Sequence, residues 1–464
     1  MSMISNTGKS PNYAATILRV DDVIDIQGFD RLAYARVGVE KVLVSKECVH
    51  KGDIVVFVPQ ESCLSQRFLY KNNLYKNAEM NEDREGYKGY FEKNGRVTLL
   101  KIRGMYSPGF IATIDMMERA YPDLMRLDWE EMDGFKFDKI GDDMFCWKYI
   151  VHHSDKSNAH RRRERGPFLD KPKFDYLIQR NFPAHYNTAQ LRDAIKYLEP
   201  DDMVDITVKI HGTSFFAGSV ECNRKLKWWE KILKNVFGKN VQETEYLKLY
   251  SSRNVVQNRY EGYDLKTPPY KEAFDLISPF LQDNIIVYGE ICGYMPGSPI
   301  YIQTLHDYGC KEGEFKFMPY RIKNVSTGKE YEIEDVIKWT KWVISQLPED
   351  KQSMIFPLHR VFHGQLKDLH PFYQDALNGQ NLNDVLTIWR DGLYDYMKSP
   401  QTFGLELAEP LCDNRVPREG VVIRKCNDNI DEAFKLKSDA HYEMAKKEHD
   451  KGVFDIEEVQ ESQI

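Results

Sequence analysis

The chain lacks any uninterrupted apolar stretch near the roughly 18 residues that a membrane-crossing helix needs. Residues Met1 to Asn12 are polar and contain no apolar leader, so secretion is not expected. Eight cysteines are scattered without a C-x-x-C pair, which argues against both a zinc ribbon and a disulfide framework. Positive charge is not in excess either. With 64 Lys and Arg against 71 Asp and Glu the net charge is −7, which weighs against indiscriminate coating of nucleic acid but not against a local basic channel. No internal repeat is found. These absences leave an expectation of an intracellular, cytoplasmic protein (host cytoplasm if the source is viral) that works as a monomer without a membrane partner. What is present is core-forming material: 42% of the 464 residues are hydrophobic and 12% aromatic, enough for two or three folded domains.

Short apolar or alternating segments with turn residues between them dominate the first part. Ala15–Val20, Leu32–Gly38, Val42–Val44, Ile54–Pro59 and Val97–Arg103 read as strands, and their spacing suggests a small OB-type β-barrel within residues 1–150. Residues 116–150 read as helical or irregular. Residues 151–172 have the composition of a linker and include the basic run His160-Arg161-Arg162-Arg163-Glu164-Arg165. A mixed pattern follows over 173–446, with a short helix at 188–198 and strands at 206–220, 284–291, 315–322 and 419–425. Val336, Ile337, Thr340, Val343, Ile344 and Leu347 form one face of a helix, and Leu382, Val385, Leu386, Trp389 and Leu393 form one face of another. Residues 447–464 read as a frayed acidic tail. A second basic stretch, Asn223 to Lys239, is either solvated surface or a nucleic-acid contact.

The segment Thr207-Val208-Lys209-Ile210-His211-Gly212-Thr213-Ser214 ends a strand-like run in a lysine, with a glycine three residues later. A lysine so placed can attack a phosphate, and glycine lets backbone approach without a Cβ in the way. The same K-x-x-G spacing occurs at Lys101-Ile102-Arg103-Gly104, where an exposed strand lysine before a turn is the simpler reading. The segments downstream separate the two. After Lys209 come Ser252-Arg253-Asn254, Val287-Tyr288-Gly289-Glu290-Ile291-Cys292-Gly293 and Phe317-Met318-Pro319-Tyr320-Arg321-Ile322. Arg418-Glu419-Gly420-Val421-Val422-Ile423-Arg424 and Phe434-Lys435-Leu436-Lys437-Ser438 complete the set.

This ordered set, spanning Lys209 to Ser438, resembles the covalent nucleotidyltransferase superfamily of polynucleotide ligases and capping enzymes. K-I-H-G together with a β-rich domain ahead of the motifs is most similar to ATP-dependent RNA ligases of the nick-sealing type. The resemblance implies an α+β chain: an OB-type barrel, then a nucleotidyltransferase domain of antiparallel sheets with flanking helices. It implies that Lys209 attacks the α-phosphorus of ATP and that the product AMP passes to an RNA 5′-phosphate. It also implies that Gly212 lies against the nucleotide, Arg253 contacts it, Glu290 binds the ribose hydroxyls and Phe317 stacks on adenine. Glu419 would hold Mg²⁺ or Mn²⁺, an ion that favours one or two carboxylates plus phosphate oxygens. Lys435 and Lys437, two apart on a strand, share a face; near the α-phosphate they would favour the neutral nucleophile and offset transition-state charge.

Two positions depart from the pattern. Val208 stands where many relatives have a glutamate that can read the base. Arg321 stands where the family motif has an acid. A DNA ligase, a capping guanylyltransferase and a non-catalytic OB-containing nucleic-acid-binding protein are the competing readings. The stretch 323–417 carries both periodic helices without a motif.

Overall fold

The computed structural model describes residues 3–86, 89–150, 174–184, 188–372, 380–399, 409, 411–426 and 432–450. The expected linker over 151–172 and the tail from 451 lie outside them.

In the N-terminal half, one long strand organises the sheet. Strand β1 (Ala15–Asp25) pairs through Thr16–Arg19 with β4 (Ile54–Val58) and through Val20–Asp25 with β2 (Leu32–Val37). A register shift between Val20 and Asp22 bends β1 so that its two halves serve different neighbours. Adding β3 (Glu40–Ser45) and β5 (Phe110–Thr113) gives the order β3-β2-β1-β4-β5. Both faces are covered. Val20, Val37, Val42, Val55 and Phe57 pack in one cluster, while Ile17, Val56, Val58, Phe68 and Phe137 pack in another.

The sequence suggested a small OB-type barrel; the sheet is a half-barrel. Among the described residues no ladder joins β5 back to β3. The hairpin Leu100–Ile102/Met105–Ser107 lies at that edge instead, where Ser107 Oγ accepts the Leu43 N–H at 2.9 Å and Tyr34 Oη donates to the Tyr106 carbonyl at 3.1 Å. Residues 116–150 also hold more than a helix, since short strands at Lys136–Phe137, Lys139–Ile140 and Cys146–Lys148 follow the helix Ile114–Ala120.

The second half holds two antiparallel-dominated sheets. The first runs β13-β12-β6-β11, from strands β6 (Met203–Lys209), β11 (Arg360–Gln365), β12 (Gly420–Lys425) and β13 (Ala433–Lys437). A two-residue strand, Ala189–Gln190, joins β13 in parallel. The second runs β8-β7-β9-β10, from β7 (Thr213–Asn223), β8 (Thr244–Ser252), β9 (Ile285–Gly293) and β10 (Phe315–Asn324). The single strand expected over 206–220 is therefore two. The chain leaves one sheet at Lys209, crosses Ile210-His211-Gly212 and enters the other at Thr213.

Helix α2 (Ile333–Gln346) seats Val336 and Val343 under the second sheet; α3 (Leu382–Lys398) seats Trp389 and Leu393 under the first. Helix α1 (Trp228–Asn235) is inserted between β7 and β8. Helix α4 (Asp439–Asp450) begins at Ser438, whose hydroxyl accepts the His441 N–H at 3.1 Å, so residues 447–450 are helix rather than tail.

Helix α3 also binds the N-terminal half. Arg36 meets Asp391 at 2.6 Å, Lys41 meets Asp395 at 2.7 Å, and buried Glu40 takes both Lys398 at 3.0 Å and the Tyr394 hydroxyl at 2.7 Å. All eight cysteines are unpaired. No helix among the described residues is long and apolar enough to cross a membrane.

Candidate active site

Register assembles the site. In the first sheet Gly420 is the direct partner of Lys209 on one side and of Lys437 on the other. Directly paired residues share a face, so the two lysines flank a glycine that has no side chain between them. A Cβ on Gly420 would stand 2.0 Å from the Leu436 carbonyl oxygen. Glu419, one residue earlier and almost wholly buried, fills that space: Lys209 Nζ lies 2.8 Å from one of its oxygens and Lys437 Nζ 2.8 Å from the other. Two residues along, Val422 pairs with Thr207 and with Lys435, which puts Lys435 on the same face.

Charge follows from that geometry. Burial would raise the Glu419 carboxyl, yet Lys209 and Lys437 hold it well below the usual carboxylate range. Burial would lower Lys437, but Glu419 raises it far above an ordinary lysine. Among the described residues Lys435 has no carboxylate in ion-pair contact, and Glu419 opposes its lowering only in part. Burial first, then the cations Lys437, Lys209 and Arg253, push it down to about 7. Lys437 thus shares the Glu419 carboxylate with Lys209, and Lys435 is the destabilised cation of the three.

Three histidines close the floor. The rings of His211 and His441 have centroids 4.8 Å apart, and His306 lies 4.7 Å from His211. Burial lowers all three, His441 to about 3, so they are neutral imidazoles. Ligand atoms of His211, His441 and Glu419 lie within 4.8 Å of one another, a donor set that fits a divalent cation.

Lys209, His211, Glu419, Lys435, Lys437 and His441 open into one cavity of about 740 Å³, which Arg253 and Glu290 also line. Val208, Met318, Ile333 and Leu358 form its apolar wall, while Tyr13, Lys148 and Tyr149 reach it from the N-terminal half.

No family model matches this chain, and no curated protein matches it by sequence. Solved structures do match. An RNA ligase of Naegleria gruberi, in a ligand-free variant, superposes with a TM-score of 0.53 at 15% identity, over 94% of this chain and 99% of that one. The fold is that of an RNA ligase. A variant of the same enzyme solved with ATP and manganese gives a TM-score of 0.52 at 15% identity over 93% and 99%. Its pyrophosphate-bound form gives 0.51 at 16% identity over 94% and 99%. The shared fold is thus a mixed α+β architecture of mostly antiparallel sheets that takes in the N-terminal half-barrel.

Of the residues singled out from sequence, Lys209, Gly212, Arg253, Glu290, Glu419, Lys435 and Lys437 all reach this cavity. Gly212 has a reason beyond ligand approach, because a Cβ there would come 2.5 Å from the Ile291 carbonyl oxygen where the two sheets meet. Phe317 does not reach the cavity. It is completely buried, edge-on to Phe215 and over Gly289, because strand alternation turns it to the core and turns Met318 to the cavity. Arg321, where the family has an acid, forms a buried ion pair with Glu330 at 3.1 Å. Lys101 lies apart from the site, on the hairpin, 2.7 Å from Glu443 of α4.

Sequence reasoning missed the loop that fixes the lysine turn, where Gln303 Nε2 donates to the Gly212 carbonyl at 2.8 Å and the Tyr308 hydroxyl accepts the His211 N–H at 2.8 Å. It also missed His306 and His441. His441, four residues beyond Lys437, carried a weak positional signal; His306 carried none.

Proposed function

We propose that this chain is an ATP-dependent RNA ligase that joins RNA 3′-OH and 5′-phosphate ends through a lysyl-AMP intermediate. The observation that carries the reading is the placement of Lys209 and Lys437 on the two oxygens of Glu419, with Lys435, Arg253 and Glu290 in the same cavity.

Lys209, once its ammonium has given up a proton, attacks the α-phosphorus of ATP; a P–N bond forms, the bond to pyrophosphate breaks, and the further proton lost from the nitrogen leaves with the pyrophosphate. Lys435 and Lys437 face the phosphates and offset negative charge that grows on them. Arg253 gives the nucleotide a planar, multi-donor contact, and Glu290 accepts from the ribose hydroxyls. The apolar wall of Val208, Met318, Ile333 and Leu358 receives the adenine, the role first given to Phe317. Glu419, with His211 and His441, would hold Mg²⁺ or Mn²⁺, which supplies further charge neutralisation at the phosphates. AMP then passes to an RNA 5′-phosphate, and a neighbouring 3′-OH displaces it. Under this proposal residues 1–150, with the half-barrel as an OB-like surface, grip RNA ahead of a nucleotidyltransferase unit over 173–446. The protein acts as a monomer inside the cell, in nick sealing or RNA repair.

Incubation with α-labelled ATP is expected to label the protein, and Lys209→Ala is expected to abolish the label. Labelling by GTP alone would mark a capping enzyme and overturn the reading. Nicked duplexes with RNA or DNA placed in each strand in turn then test the substrate. Sealing of all-DNA nicks with failure on every RNA 3′-OH strand would make it a DNA ligase.

A further inference from the structure

Helix α1 breaks the usual rule of amphipathic helices. Three of its four apolar residues face solvent, only Leu233 being half-buried, and its acid is buried. Trp228, Ile232 and Val236 recur at every fourth position with Trp229 beside them, and Phe237 follows the helix end. Their exposures are 75, 42, 70, 44 and 66% in that order. On the opposite side Glu230 is nearly buried. It accepts from the Arg224 guanidinium at 2.8 Å and from the Lys227 N–H at 2.7 Å. Lys234 is tied to Glu243 at 2.7 Å. These contacts lie on the side of the helix opposite the apolar stripe.

The segment from Arg224 to Lys239 holds six cations and a single acid, in a chain whose net charge is −7. Arg224, Lys225 and Lys234 are paired with Glu230, Glu261 and Glu243, and the side chains of Lys227, Lys231 and Lys239 have no carboxylate in ion-pair contact among the described residues. Exposed tryptophans and branched aliphatics flanked by lysines are the composition of a helix that lies in the headgroup region of a bilayer. Nucleic acid fits less well: bases stack on tryptophan, but Ile232 and Val236 offer alkyl surface that a nucleotide does not use. Strand β7 also carries the helix away from Lys209, its eleven residues spanning roughly 35 Å. A second copy of the chain would bring two cationic surfaces together.

We infer that α1 and the Val236–Phe237 turn form an interfacial anchor that seats this protein on an anionic lipid surface. The inference does not rest on the ligase reading. It revises the expectation of no membrane partner, which was drawn from the lack of a spanning segment; a helix that lies on the surface needs none.

Flotation of the full-length protein with vesicles of phosphatidylcholine alone, or with phosphatidylserine added, tests it. Binding to the anionic vesicles, weakened by salt, is expected. Ile232→Asn with Phe237→Ser is expected to abolish it. Lys231→Gln with Lys239→Gln is expected to lower the partition coefficient roughly thirty-fold. None of these four residues lines the catalytic cavity, so AMP labelling and the melting temperature serve as unchanged controls.

Failure of the wild type to float with anionic vesicles at low salt would overturn the inference, as would a double Ile232/Phe237 variant that floats equally well. If those substitutions instead weaken binding of single-stranded RNA, or dissolve a dimer seen by light scattering, while vesicles are not bound, the face serves RNA or a second copy and the inference fails. Loss of AMP labelling at Lys209 would sink the ligase reading alone and leave the flotation result standing.

Discussion

A single buried carboxylate sets the electrostatics of the site. Glu419 partners both Lys209 and Lys437, whereas Lys435 remains a cation among cations. The consequence for Lys435 has a definite sign. Its folded pKa is about 7 against 10.5 for the ordinary side chain, so between those values the unfolded chain binds more protons. Its destabilising effect is therefore full below pH 7 and declines as pH rises through that window, by up to about 1.4 kcal/mol per pH unit. Denaturant unfolding of wild type and Lys435→Met at pH 7 and pH 9 checks this. The variant is expected to be the more stable at pH 7 and to show a flatter rise; equal slopes would show that Lys435 is not the group responsible. A bound phosphate restores the proton, so ATP binding above pH 7 is expected to take up protons, measurable by calorimetry in buffers of different ionisation enthalpy.

Pairing of elements rather than any one side chain places the chemistry. Lys209, Gly420 and Lys437 form one row across three strands, and Gly212 lets β9 approach the turn between the two sheets. Both glycines stand where a Cβ would collide with a backbone carbonyl, which a flexible side chain cannot relieve. Gly212→Ala is expected to cost about 1–3 kcal/mol of stability by denaturant unfolding. Gly420→Ala, with the closer contact, is expected to separate β12 from β13 and to abolish AMP labelling even where the protein remains folded by circular dichroism. Retention of full labelling by Gly420→Ala would mean that the lysine row tolerates displacement.

At the scale of the molecule, α3 connects the two halves through Glu40, Arg36 and Lys41. Glu40 is buried between Lys398 and Tyr394, and those partners hold its carboxyl below the usual range although burial opposes this. Glu40→Ala is expected to cost about 3–5 kcal/mol, because it removes the close partner of a buried lysine. Glu40→Leu with Lys398→Met is expected to recover most of that loss; a double variant as unstable as the single one would place the cost in packing instead.

Much of the site was legible in the sequence. Arg253, Glu290 and Glu419 stood out by the resemblance of the ordered segments that carry them to a known motif set, and Lys209 and the pair Lys435 and Lys437 by their offsets on strands, which reflect local backbone geometry. Period-three-to-four stripes marked α2 and α3 for the same reason. What the sequence left open depends on contacts between distant segments. The half-barrel form of the N-terminal sheet, the inward turn of Phe317, the grouping of His306 and His441 with His211 and the docking role of α3 each depend on register or on which face meets which neighbour. No local pattern encodes those. The basic run of Asn223 to Lys239 makes the division plain. Its charge was visible in the sequence, but only the tertiary structure showed which side of the helix faces water.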